Sequence, residues 1–184
     1  LDTLHRYGYE TWFNVGDKDL ATHIHRTILL RRGSKLSEVT AEICQKLGVK
    51  VRVLPMTDDK FETRIVTPEG SMHFQEYLVK RGAQDKVVGV EFIGVENAKP
   101  SESVIDSIIN SVGIIICPSN PIVSIGTILA VSEIRQALRQ TKAKKVAITP
   151  IIAGAPVKGP ADKLMSGLGL EVSAFSVANL YSDF

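Results

Sequence analysis

Four short polar clusters hold most of the chemistry this sequence could perform: Gly16-Asp17-Lys18-Asp19, Met56-Thr57-Asp58-Asp59, Pro118-Ser119-Asn120-Pro121 and Lys158-Gly159-Pro160-Ala161. Each stands where an apolar run ends, and ligands of open α/β sheets bind at strand ends. In the first cluster a carboxylate of Asp17 or Asp19 could take a proton from a hydroxyl nucleophile or hold a metal, and Lys18 could neutralise phosphate. Either aspartate also suits the N-cap of a following helix. The adjacent carboxylates Asp58 and Asp59 could bind Mg²⁺ or act as a base, and they equally suit a solvated turn. Pro118 and Pro121 fix backbone φ angles, so Ser119 and Asn120 can offer donors to phosphate or ribose oxygens or close their own turn. Lys158 precedes Gly159 and Pro160 at a helix start, where a cation opposes the helix dipole. A bound anion would reconcile the two, and a solvated loop lysine is the plain alternative. Together the clusters point to an enzyme that binds an anionic, phosphorylated ligand.

These clusters need a frame. Apolar spacing predicts a helix over 19–32, with Leu20, Ile24, Ile28 and Leu29 on one buried face and Gly33 ending it. A second helix follows over 34–47, with Ser34 as its cap. Strands are expected over 49–54, 62–66, 72–79 and 87–93, the second and third joined by a turn at Thr67-Pro68-Glu69-Gly70. A helix over 101–111, capped by Ser101, leads to a wholly apolar strand over 113–117, of the type buried on both faces of a parallel sheet. A helix over 132–140, a buried strand over 144–149, a helix over 161–168, a short strand over 170–173 and a helix over 177–181 complete the chain. Alternation of strands and helices in the last third predicts parallel βαβ units. The expected fold is therefore a single α/β domain over 1–184, a Rossmann-like, mostly parallel sheet flanked by helices, with an inserted β-hairpin region.

Bulk properties narrow the function. The 184 residues are 44% hydrophobic and 23% charged, enough for one sizeable core. A net charge of +2 is too small to argue for nucleic acid or an anionic membrane. Cys44 and Cys117 sit in apolar company, as small buried hydrophobes of a reducing compartment. No apolar run has the length of a membrane span and no signal peptide is visible, so a cytoplasmic protein is expected. His23 and His25 are two apart on a helix and cannot chelate together. Phe74, with Trp12 and Phe13, suits either core or the wall of an aromatic pocket. No Gly-rich phosphate turn, zinc spacing or catalytic triad is present.

At these residues the chain resembles a known family. Residues 12–23, 53–59 (Val-Leu-Pro-Met-Thr-Asp-Asp), Phe74-Gln75-Glu76-Tyr77, 118–126 (Pro-Ser-Asn-Pro-Ile-Val-Ser-Ile-Gly) and Lys158-Gly159-Pro160-Ala161 resemble, in order, the motifs of the 2-phospho-L-lactate transferases, the CofD-type enzymes of coenzyme F-420 biosynthesis. The resemblance implies transfer of a phospholactyl or phosphoenolpyruvyl group from a guanylyl-linked donor to a hydroxyl of the deazaflavin Fo, with release of GMP and assistance from Mg²⁺. It implies catalytic roles for Asp17, Lys18 and Lys158. It implies substrate contacts for Asp19, Thr22, Asp58, Asp59, Gln75, Ser119, Asn120, Ser124 and Gly159, and assigns no metal ligands. Lys18 stands where arginine is common, exchanging a fork contact for a point charge, and Cys117 stands where glycine is frequent. The family's opening Gly-rich nucleotide loop and Asp-rich segment have no counterpart here. The chain therefore corresponds to the central and later part of a longer enzyme, and these residues alone are expected to turn over weakly or not at all. A homodimer is expected by commonness alone. Two alternatives remain: a related regulator that binds nucleotide-sugars without transferase activity, and a non-catalytic nucleotide-binding module.

Overall fold

The first part of the chain is helical. In the computed structural model, which describes residues 2–184, α1 (Asp2–Arg6) is followed by α2 (Asp17–Arg31) and α3 (Leu36–Lys46). Gly33, at φ +93°, ends α2 as its position predicts. The cap of α3 is Lys35 rather than Ser34: the Glu38 carboxylate accepts from the Lys35 backbone N–H at 2.8 Å, satisfying a free helix-end donor. His25 Nε2 meets Glu42 at 3.1 Å and pins the two helices together. Lys46, hydrogen-bonded to Glu42 at 2.9 Å, and then His25 hold that carboxyl below its ordinary range against the opposing effect of burial. The expected burial of α2 does not occur. Leu20 and Ile24 are each 52% exposed and the helix has no buried residue, because α3 is its main neighbour among the described elements.

An antiparallel sheet follows, ordered β2-β1-β3, from β1 (Glu62–Thr67), β2 (Gly70–His73) and β3 (Gly89–Ile93). The Thr67–Gly70 turn joins β1 to β2 as expected, with Thr67 Oγ1 donating to the Gly70 carbonyl at 3.0 Å. The strand expected over 72–79 stops at His73. The chain turns helical at Phe74 and continues as a π-turn over Glu76–Lys80. The reason lies in the spacing: Phe74, Tyr77 and Leu78 pack on the core at i, i+3 and i+4, a helical pattern that strand alternation cannot satisfy. Residues 49–54 and 170–173 are not strands either. No strand lies beside 49–54 among the described residues, so its ladder groups have no partner, and Val51 is 70% exposed. Leu170 and Val172 pack on the core without joining a ladder.

The last part alternates as predicted. Helix α4 (Val104–Ile109) precedes β4 (Gly113–Ile116), and β5 (Lys144–Ala147) pairs parallel to β4 with Gly113 opposite Lys144 and Ile116 opposite Ala147. Between them run a π-turn over Pro121–Ile125, α5 (Gly126–Leu129) and α6 (Ser132–Gln140). Strands β6 (Ile151–Ile152) and β7 (Ala155–Pro156) form a small antiparallel hairpin before α7 (Ala161–Gly167) and α8 (Ala174–Asn179). The parallel pair is covered on one face only. Ile116 is buried, but Ile115 is 69% exposed and Val146 59%, so the predicted two-sided burial is not met. Cys117 is likewise exposed, not buried, and Cys44 is half-buried.

The core lies between the two sheets and the later helices, around Ile65, Tyr77, Val131, Ile134, Leu164 and Met165. Full burial of each aliphatic side chain there stabilises the fold by about 2 kcal/mol. The last turn of α7 approaches so closely that a Cβ on Gly167 would lie 2.5 Å from the Val87 carbonyl oxygen. The protein is thus α/β, a parallel pair flanked by helices joined to an antiparallel sheet built on the predicted hairpin. Among the described residues, no single helix is long and apolar enough to cross a membrane.

Candidate functional site

Two of the five sequence motifs meet in one cleft. It has a volume of about 330 Å³ and lies among the 55–59 loop, β1, the end of β2 and the start of α3. Phe61, Phe74 and Met56 give it apolar walls, and Asp59, Gln75 and Thr127 give it polar groups. Thr127 comes from α5, downstream of the Pro-Ser-Asn-Pro motif, and its hydroxyl sits 3.4 Å from that of Thr63 on β1. Four stretches distant in sequence, at Leu36, residues 55–63, residues 73–75 and Thr127, therefore converge.

The 55–59 loop is rigid because its polar groups are spoken for. Asp58 Oδ1 accepts from the Ser37 backbone N–H at 2.6 Å and Oδ2 from the Ser37 hydroxyl at 2.8 Å. A carboxylate at the start of α3 also meets the positive end of the helix dipole. Asp59 Oδ2 accepts from the Lys99 N–H at 2.8 Å, and the Ser101 N–H donates to the Met56 carbonyl at 3.1 Å. The Ser101 hydroxyl donates to the Pro55 carbonyl. Ser101 was expected to cap a helix; it is instead buried and straps this loop, while α4 begins at Val104. Asp58 is thereby a structural group and does not line the cleft, contrary to its expected substrate contact. Asp59 lines the cleft beside Gln75.

A second set of candidates sits at the C-terminal edge of the parallel pair. The β4–β5 pairing is prolonged by Ile148 N–H donating to the Ile116 carbonyl at 3.0 Å, so residues 117–120 and 149–150 leave the same edge. Asn120 Oδ1 accepts from the N–H groups of Ile122 and Val123 at 2.9 and 3.1 Å, capping the π-turn. Its amide nitrogen is not used in that cap. Ser119 and Ser124 are half-buried, before and within that turn. The β6–β7 hairpin folds back on itself, and Val157 N–H donates to the Pro150 carbonyl at 2.9 Å. That bond ties the end of the hairpin to Pro150, and Lys158, the next residue, is exposed. Gly159, at φ +74°, lines a separate cavity of about 340 Å³ with Asp162 and Lys163.

The first cluster stands apart from both places. Asp17 begins α2 behind a Gly16 cap, so neither Asp17 nor Asp19 is the cap. Both belong to the first turn, where a carboxylate favours the dipole. Asp17, Lys18 and Asp19 are exposed and Thr22 is half-buried, its hydroxyl donating to the Lys18 carbonyl at 2.9 Å. No residue of α2 lines the cleft. Trp12 and Phe13 make an edge-on pair 5.8 Å apart, with the Lys80 ammonium 6.0 Å from the Trp12 ring. The sequence reading missed Thr63, His73 and Thr127, and the signal for His73 and Thr127 was only their nearness to quoted motifs.

The model of the family described as 2-phospho-L-lactate transferase CofD matches residues 1–182, and the chain belongs to that family. It is 40% identical over 183 residues to the 2-phospho-L-lactate transferase of Methanosarcina acetivorans, covering 100% of this chain and 59% of that protein. It is 44% identical over 177 residues to the phosphoenolpyruvate transferase of Nocardia farcinica, covering 92% and 53%. The chain thus spans a little over half the length of these relatives. Two crystal structures of a UPF0052-family protein from Bacillus halodurans share the fold. They superpose with TM-scores of 0.59 and 0.57 at 18% and 20% identity, covering 93% and 80% of this chain and 67% and 49% of that protein.

Proposed function

We propose that this chain is the acceptor-binding and phosphate-facing portion of a transferase that moves a phospholactyl or phosphoenolpyruvyl group from a guanylyl-linked donor to a hydroxyl of the deazaflavin Fo. The observation that carries the reading is the Pro121–Leu129 helical segment. It begins at the strand edge with Asn120 and delivers Thr127 to the cleft, seven residues on. At the rise of a helix that is about 10 Å. A flat ring held between Phe61, Phe74 and Met56 would thus keep its hydroxylated chain within reach of a donor phosphate at the Ser119 and Asn120 edge. The names of the relatives support the reaction class, and they leave both three-carbon acids open.

In this reaction the acceptor hydroxyl oxygen forms a new bond to the phosphorus of the phospho-acid. The bond from that phosphorus to the bridging oxygen of GMP breaks, and GMP leaves with the electron pair. The hydroxyl proton passes to a carboxylate or to water. Lys158 would neutralise charge gathering on the phosphates, and Ser119 with the free Asn120 amide would orient them. Asp17 and Lys18 would join from the head of α2. Mg²⁺ is part of the proposal, but no three His, Cys, Asp or Glu side chains among the described residues could hold an ion together. Asp58, moreover, is already engaged by Ser37.

The test is to incubate the full-length protein with Fo, Mg²⁺ and each guanylyl donor in turn and to follow products by mass. A phosphodiester of Fo with stoichiometric GMP is the expected result. Binding of a nucleotide-sugar with no transfer from either donor would replace this reading with that of a regulator.

A further inference from the structure

We infer that His73 is a ligand-binding residue of the cleft, donating its Nε2–H to an acceptor atom on a flat heteroaromatic ligand. The inference rests on the proposed function, since it assigns the cleft to the aromatic acceptor. It starts from the break between β2 and the π-turn. In a continued strand, His73 and Gln75 would face one side and Phe74 the other. The chain instead turns helical directly after His73, and His73, Phe74 and Gln75 all line the same cleft. Three consecutive residues, bearing an imidazole, an aromatic ring and an amide, thereby line one volume of about 330 Å³.

The same turn sets the state of the imidazole. His73 Nδ1 accepts from the Gln75 backbone N–H at 3.1 Å. A nitrogen that accepts carries no proton, so the neutral ring bears its hydrogen on Nε2. Among the described residues, no protein acceptor is hydrogen-bonded to that Nε2. The ring is thus oriented by a backbone bond and keeps one donor for a bound molecule. Around it the cleft offers acceptors in Asp59 and Glu62 and hydroxyls in Thr63 and Thr127, which suit the hydroxyls of a ligand. Glu62 is already paired with Arg64 at 2.7 Å. His73 is the one ring donor of the cleft, placed beside Phe74, and so fits a carbonyl oxygen or unprotonated nitrogen on the edge of a ring that Phe74 contacts.

His73→Asn separates this role from a structural one, because the Asn carbonyl oxygen can still accept from the Gln75 N–H while the Nε2 donor is gone. Titration calorimetry of the full chain with Fo should show a Kd raised about tenfold by His73→Asn, at an unchanged urea midpoint. His73→Phe, which keeps a ring but neither nitrogen, should weaken binding at least as much. Fo binding by His73→Asn equal to that of the unaltered chain would overturn the inference and leave the proposed function standing. No Fo binding by the unaltered, folded chain would overturn both.

Discussion

Asp58 and Asp59 lie in a loop whose carbonyls and carboxylates are bonded to the start of α3 on one side and to residues 99–101 on the other. Asp17 and Asp19 lie at the exposed head of α2, and that helix buries no side chain. The two segments have the same aspartate-rich composition and opposite construction. In the loop, the carboxylates are taken up by backbone and hydroxyl donors from two other segments, so these bonds hold the cleft's geometry ready before any ligand arrives. On α2 the charges favour the helix dipole at little energetic consequence and stay available to something else. Acidic residues in a motif therefore say little about role until their donors are known.

The comparison can be broken most strongly at the back of the loop. Gly94, at φ +85°, lies against the Lys60 carbonyl, which a Cβ would overlap. Gly94→Ala should cost about 3 kcal/mol in urea unfolding. Next, Asp58→Ala removes both Ser37 bonds at a helix N-terminus. A loss of about 2 kcal/mol is expected, with an unchanged m-value. A loss below about 0.5 kcal/mol would show that the loop is not held by this carboxylate.

The α2 side should behave in reverse. Lys18→Ala should leave the urea midpoint within about 0.5 kcal/mol of the unaltered chain. In the transfer assay it should lower turnover more than tenfold, about 1.4 kcal/mol in the barrier. Equal turnover would remove α2 from the site. The smallest effect lies far from both regions. Arg135 binds Asp183 at 2.9 Å through Nε, and Arg139 adds a second guanidinium. Hydrogen bonding to Arg135, then to Arg139, lowers the Asp183 carboxyl from 3.8 to about 2, partial burial opposing. A depressed carboxylate stabilises the fold above its unfolded value and loses that contribution as pH falls toward about 2. With the side chain 29% exposed, solvent screening reduces this to about 1 kcal/mol. The stability gap between the unaltered chain and Asp183→Asn, measured from pH 5 downward, should therefore narrow as pH approaches 2.

Where local rules decide, the sequence is legible. The span of α6 follows from apolar periodicity, and the Thr67–Gly70 hairpin from its turn residues. The parallel pairing of β4 with β5 follows from strand and helix alternation. The motifs at 53–59 and 74–77 could be picked out by resemblance, and of their polar residues Asp59 and Gln75 line one cleft while Asp58 does not. Other features depended on partners. Residues 49–54 have strand composition and no neighbouring strand, and a ladder exists only when two segments supply it. Leu20 and Ile24 mark an apolar face, but a periodic pattern states which side seeks cover and not whether cover comes.

By itself, then, the sequence determined the α/β class, most element positions and the residue types available for phosphate chemistry. These depend on backbone preference and periodicity over a few residues. Only the tertiary structure decided that Asp58 is a strap while Asp59 lines the cleft, and that His73, Phe74 and Gln75 line the same space. It alone set residues 117–120 and 149–150 leaving the same edge of the parallel pair. Each of these outcomes turns on which donor or apolar surface arrives from a distant part of the chain. A hydrogen bond or a buried contact is made with whatever folding places within a few ångströms, and sequence separation carries no record of that distance.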